Sequence, residues 1–172
     1  IVTSERSILK RVFQNIVNDM PVDITHRQYL ETRKRSRQFI CAIIKVNNRF
    51  AQIPSEYICS KFDSLFPKSI TFENRSNIIS FIESDDCEEY SDYLTELKSR
   101  IELLVGAMDL KIGLSDRFSD PYKARLYYSQ ALAALENGML SDPEKMCYEF
   151  DDYALMELLI NAQSELPLDM YY

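Results

Sequence analysis

The chain has 172 residues, with 20 Lys and Arg against 27 Asp and Glu, a formal net charge of −7 and 46% apolar residues. That length supports one domain with a real core. The acidic balance argues against a nucleic-acid surface on this chain, since phosphate binding needs concentrated Lys and Arg.

Ile8, Leu9, Val12, Phe13, Ile16, Val17 and Met20 recur at three-and-four spacing, so residues 4–20 are expected to form an amphipathic helix that Pro21 ends. A weaker helix is expected over about 24–35. It closes in the basic run Arg33-Lys34-Arg35-Ser36-Arg37, whose cations suit a helix C-terminus. Phe39–Val46 is nearly all apolar and β-branched and reads as a central strand covered by helices, with Asn47-Asn48 as its exit turn. Residues 53–66 form a helix with Ile53, Tyr57, Ile58, Phe62, Leu65 and Phe66 on one side, closed by Pro67. Ser69–Glu73 and Asn77–Glu83 are two β runs split by a turn at Asn74-Arg75-Ser76.

Ser84-Asp85-Asp86 can cap a helix over about 86–108, in which Tyr90, Leu94, Leu97, Ile101, Leu104 and Met108 alternate by four and three. A strand at about 110–116 follows. Ser119-Asp120-Pro121 then starts a helix at about 121–138, with Gly138 placed to end it. Met146–Phe150 reads as a short edge strand, and Asp151-Asp152 starts a last, Leu-rich helix. Two helices followed by β-α-β-β-α-β-α-β and a terminal helix predict an α+β fold. The expected form is a ferredoxin-like antiparallel sheet with helices on one face, plus N-terminal helices.

Chemistry-bearing patterns are sparse. Cys41, Cys59, Cys87 and Cys147 lack metal-ligand spacing and read as buried thiols. His26 is the sole histidine and reads as a surface or helix-packing residue. Asp85, Asp86, Glu88 and Glu89 suit a helix start, and Tyr122, Tyr127 and Tyr128 suit packing. Three glycines leave no Walker or Rossmann pattern.

Three segments carry a resemblance. Ile112-Gly113-Leu114-Ser115, Tyr128-Ser129-Gln130-Ala131-Leu132-Ala133-Ala134-Leu135 and Phe150-Asp151-Asp152-Tyr153-Ala154-Leu155 are similar, in order and spacing, to the strand, helix and strand-to-helix junction of the degenerate GGDEF-like domain of PucR/CdaR-type bacterial transcription regulators. The junction has Ala154 where glycine is usual in that family. The resemblance divides the chain into a helical lead-in (1–37), the GGDEF-like domain (38–163) and a linker (164–172) toward a DNA-reading helix-turn-helix that is not in this chain.

Active cyclases of this fold hold divalent cations with one acid at the end of the first strand and others in a Gly-Gly-Asp/Glu-Glu-Phe hairpin. In this chain the resemblance puts Lys45 and Asn47 at the first place and Asn74-Arg75-Ser76-Asn77-Ile78 at the second, where Glu73 is the only nearby acid. It therefore implies a non-catalytic regulatory domain without metal or cofactor, which self-associates as a homodimer and works with other domains of its own chain. The alternative is a sensor module that binds a small molecule or nucleotide in the former cyclase cleft, lined by Lys45, Asn47, Arg75 and Asn77. No apolar run approaches the ~20 residues of a membrane helix. The start at Ile1 and the end at Tyr172 suggest a piece of a longer cytoplasmic protein without membrane contacts.

Overall fold

The computed structural model describes residues 5–32, 37–46, 53–85 and 89–165. In chain order these form α1 (Glu5–Val17), α2 (Ile24–Thr32), β1 (Arg37–Val46), α3 (Ser55–Leu65), β2 (Ile70–Asn74), β3 (Asn77–Asp85), α4 (Tyr90–Met108), β4 (Leu110–Leu114), α5 (Ala124–Ser141), β5 (Cys147–Glu149) and α6 (Phe150–Glu165). The architecture is α+β around one open five-stranded sheet in the order β2-β3-β1-β4-β5. Among the described residues, no helix is long and apolar enough to cross a membrane.

Two expectations about the sheet are corrected. It is mixed, because β4 and β5 run parallel while the β1–β3, β1–β4 and β2–β3 pairings are antiparallel. Helices also cover both faces. Residues of α3 and α4 pack with Ile40, Ala42 and Ile44 of β1, whereas residues of α1 and α5 pack with Phe39, Cys41 and Ile43. A strand that is apolar at every position needs cover on both sides, and successive side chains point to opposite faces. On the α1 side the Phe13 ring stacks on Phe81 at 4.1 Å and meets Phe39 edge-on at 5.4 Å. The lead-in helix thus shares the core of the sheet.

The units β3–α4–β4 and β4–α5–β5 each join parallel strands and step the same way across the sheet. Their helices lie on opposite faces, so the two crossovers have opposite hands. What holds α5 on its face is the absence of side chain at two points. A Cβ on Gly113 of β4 would come within 2.3 Å of the Ala131 carbonyl oxygen, and one on Gly138 of α5 within 2.2 Å of the Tyr148 ring. Gly138 was expected to end α5. The helix instead runs on to Ser141, and Gly138 is buried inside it as the contact with Tyr148.

Local chemistry sets the element ends. The Asp120 carboxylate accepts a hydrogen bond from the Tyr122 amide at 3.0 Å and opens a short 3₁₀ turn, Pro121–Lys123, leading into α5. β4 stops two residues before the expected end: the Ser115 amide still donates to the Cys41 carbonyl at 2.9 Å, but the Cys41 amide donates to Ser115 Oγ, also at 2.9 Å, rather than to a strand carbonyl. Phe39 and Phe118 then exchange backbone bonds of 2.7 and 2.8 Å. Ser84 and Asp85 do not cap α4, since β3 continues through both of them; residues 86–88 lie outside the described residues. Of the basic run, Arg37 opens β1, where it forms ion pairs with Glu5 of α1 and Glu83 of β3; residues 33–36 are outside the described part.

Gly138→Ala tests the seating of α5. In an open helix Ala is favoured over Gly by about 1 kcal/mol. Here the methyl meets a Tyr148 ring that is itself 1% exposed and has nowhere to go. Overpacking of this kind costs about 1–3 kcal/mol, and an approach of 2.2 Å to a buried ring belongs at the upper end, so a net loss of about 2 kcal/mol is expected in urea unfolding. An unchanged or raised midpoint would show that the helix is not held by this contact.

Candidate functional site

The residues singled out in the sequence meet in part. Lys45 and Asn77 line one cleft of ≈ 460 Å³, between the end of β1, the base of the β2–β3 hairpin and α5. β1 delivers Lys45 because Phe39, Cys41, Ile43 and Lys45 alternate onto the α5 face, and the last of them reaches the sheet end where the side chain is exposed. Asn77 begins β3 opposite Asn74, so the hairpin loop is the two residues Arg75 and Ser76. Arg75 is exposed at the loop tip with φ at 58°, a left-handed conformation that disfavours a residue with a Cβ, and it does not line the cleft. Asn47 lies outside the described residues.

Sequence reading left four polar residues of this cleft unassigned to it, Ser76 of the hairpin loop among them. Ser55, at the start of α3, donates from Oγ to Glu73 Oε1 at 2.6 Å, and Glu136 reaches the cleft from α5. These three come from separate elements, and no local spacing connects them. Among the described residues the lining mixes one cation, two acids, amide and hydroxyl groups with the apolar Leu132, Leu135 and Met139. Such a surface can hold a small polar molecule by hydrogen bonds and charge. Among the described residues, no group of three or more His, Cys, Asp or Glu is placed to hold a metal ion.

Lys45 stands opposite Lys111 in the β1–β4 register. Lys111 is 4% exposed, and its ammonium donates to the carbonyls of Pro143 and Lys145 in the loop after α5, with the Tyr148 hydroxyl at 3.4 Å. A buried ammonium requires such acceptors. It therefore ties the loop down and is spent on structure, leaving Lys45 as the cation that faces the cleft.

A second polar group sits where the parallel strands end. Leu114 and Glu149 are register partners, so the chain two residues on brings Asp116 beside Asp151 at the start of α6. Desolvation, and then the hydrogen bond and charge of Asp151, push the Asp116 carboxyl up to about 6. Its amide donates to Gln130 Oε1 at 3.1 Å. Burial alone pushes the Cys41 thiol up, and mainly burial pushes Cys147 up to about 12, so neither is a nucleophile. Cys59 is half-buried and its thiol is raised too, while Cys87 lies outside the described residues.

The remaining sequence candidates do packing work. Tyr127 stacks on Phe118 at 4.3 Å, Tyr122 receives the Arg27 guanidinium 5.4 Å from its ring centre, and His26 is half-buried on α2. Of the acidic run, Glu89 is exposed just before α4, and Asp86 and Glu88 lie outside the described residues.

Comparison with protein-family models and with curated proteins finds no match to this chain. The reading of the site rests on its own geometry.

Asp116 sets a pH dependence. Its folded value lies above the ordinary 3.8, so the proton it holds stabilises the fold below about pH 4, and that contribution is lost as pH rises through about 6. Asp116→Asn keeps the hydrogen bond without the charge. It is expected to be more stable than the parent at pH 7 by about 1 kcal/mol, after discounting for the half-exposed site, and to lose that advantage below pH 4. Thermal unfolding across pH 3.5–7.5 checks both halves of this expectation.

Proposed function

We propose that this chain is a non-catalytic regulatory and dimerisation domain with a ferredoxin-like, degenerate GGDEF-type core, from a cytoplasmic bacterial transcription regulator whose DNA-binding helix-turn-helix is not in this chain. The observation that carries self-association is α6. One side of α6 is held to α5, where Asn137 Nδ2 donates to Glu157 Oε2 at 3.0 Å and the Tyr153 hydroxyl donates to Asp142 Oδ2 at 2.7 Å. Elsewhere on the helix, Leu155, Leu158 and Leu159 are 68%, 64% and 56% exposed. With Ala162 they fall at i, i+3, i+4 and i+7, the spacing of a single stripe that must be buried against something.

A second copy of α6 supplies a matching stripe, and a two-fold interface needs only self-complementarity. Antiparallel crossing also separates Asp151 and Asp152 of one copy from those of the other, whereas parallel crossing would stack like charges. The non-catalytic part is supported by the residues at the two places that the resemblance aligns with the acids of a cyclase. An exposed lysine ends β1, and an arginine and a serine make the hairpin loop. A lysine there repels a divalent cation.

Light scattering after size exclusion is expected to give a dimer for the parent and a monomer for the Leu155→Glu, Leu158→Glu double variant, with circular dichroism unchanged. A parent that stays monomeric at high concentration sinks the dimer. Incubation with GTP and Mg²⁺ is expected to give no product, and any product overturns the non-catalytic part.

A second reading, a sensor that binds a small molecule or nucleotide, is favoured by the convergence of Lys45 and Asn77 on one cleft. A ligand present at a hundredfold its dissociation constant adds about 2.7 kcal/mol of stability. A thermal shift with a nucleotide or small acid, lost in Lys45→Ala, is the expected result. No shift across a broad panel removes this reading.

A further inference from the structure

On the other face of the sheet, a cavity of ≈ 310 Å³ lies between the α3–β2 connection, the end of β3 and α4. That is the small end of the range ligand pockets occupy, about 300–1,000 Å³. Its floor is apolar and rigid: Phe66, Ile82 and Leu97 are 5%, 2% and 2% exposed. Its mouth carries Arg100, whose guanidinium lies 5.9 Å above the Phe66 ring centre and donates to the Leu65 carbonyl at 3.3 Å. Arg100 is therefore held at the rim and over the floor together.

One lining residue is out of balance. Ser84 is 6% exposed, its Oγ is buried, and among the described residues that oxygen has no hydrogen-bond partner. A buried hydroxyl left unpaired keeps its full desolvation penalty, which is why such groups are usually satisfied. Nothing in the fold requires a hydroxyl there, since Ser84 sits on the side of β3 that buries Ile78 and Ile82 against helices. A hydroxyl, an arginine and an apolar floor converging on one cavity are the parts of a receptor for a molecule with an anionic head and an apolar body.

We propose that this cavity binds a small apolar carboxylate, aromatic or branched aliphatic, with Arg100 anchoring the carboxylate, Ser84 Oγ donating a second hydrogen bond, and Phe66, Ile82 and Leu97 receiving the hydrocarbon. Arg100 now pairs with Glu96 at 2.5 Å, but the two side chains are 44% and 53% exposed. An exposed i,i+4 pair of this kind is weak, so a ligand carboxylate displaces Glu96 or shares the guanidinium with it at little expense. A bidentate carboxylate in a half-enclosed site gains more, because charge-assisted bonds strengthen where water is excluded. The site is independent of α6 and of the Lys45 cleft.

The test is chemical-shift mapping of the whole chain titrated with benzoate and, in parallel, isovalerate. Saturable shifts at the amides of Ser84, Tyr93 and Leu97 are expected. Benzamide and benzylamine, which keep the ring and lose the anion, are expected to bind at least tenfold more weakly. Arg100→Gln, which removes the cation at a part-exposed rim position, is expected to weaken benzoate binding at least tenfold with circular dichroism unchanged, and Ser84→Ala several-fold with the fold intact. The proposal is overturned if neither carboxylate gives saturable shifts at these amides. It is equally overturned if benzamide matches benzoate, or if either variant binds benzoate as tightly as the parent.

Discussion

The close approach of α5 to the sheet is the constraint on which the rest of the structure depends. Gly113 and Gly138 remove two side chains that would hold helix and strands apart, one on each partner, and the second admits the Tyr148 ring. With α5 seated there, Ala131, Ala134 and Leu135 complete the cluster around Phe39, Cys41 and Ile43, and the same cluster takes in Leu9, Phe13 and Val17 of α1. A helix pushed outward by even one methyl would open a gap that neighbouring small residues could not fill, because interiors are already close-packed.

Seating α5 also fixes what lies at both of its ends. At its C-terminal end the chain turns back through residues 142–146, and the buried Lys111 ammonium collects two of that loop's carbonyls, so β5 is delivered parallel to β4. β5 passes directly into α6, whose Tyr153 hydroxyl returns to Asp142. One side of α6 is thereby committed to the domain and its leucine stripe is left facing out. At the other end, the parallel register brings Asp116 and Asp151 together at the strand ends. Stability, the proposed dimer surface and the raised carboxyl thus descend from one helix–sheet contact.

The two clefts follow from the sheet having cover on both faces. The Lys45 cleft is what remains where α5 runs past the end of β1 and the hairpin. The Arg100 cavity is what remains on the opposite face, where the α3–β2 connection and α4 diverge at the end of β3. Each joins an apolar wall from the core to polar groups from the rim, and they differ in chemistry because different ends of different strands line them.

The sequence by itself determined the elements and their kinds, because hydrophobic period is a local property. The three-and-four spacing of α1, the unbroken apolar run of β1, the Asp120-Pro121 start and the hairpin at Arg75-Ser76 all lie within a few residues of where the pattern put them. It also marked Lys45 and Asn77, which do share a cleft. Only the tertiary structure decided that the sheet is mixed and covered on both faces, that Gly138 is a packing contact inside a helix, and that Arg75 is exposed at the loop tip and does not line the cleft. It alone paired Asp116 with Asp151, put Glu136 in the same cleft as Lys45, and placed the Ser84 hydroxyl in the cavity that Arg100 rims. The physical reason is that register and helix placement are settled by contacts between residues tens of positions apart, to which a period of two or of 3.6 is blind.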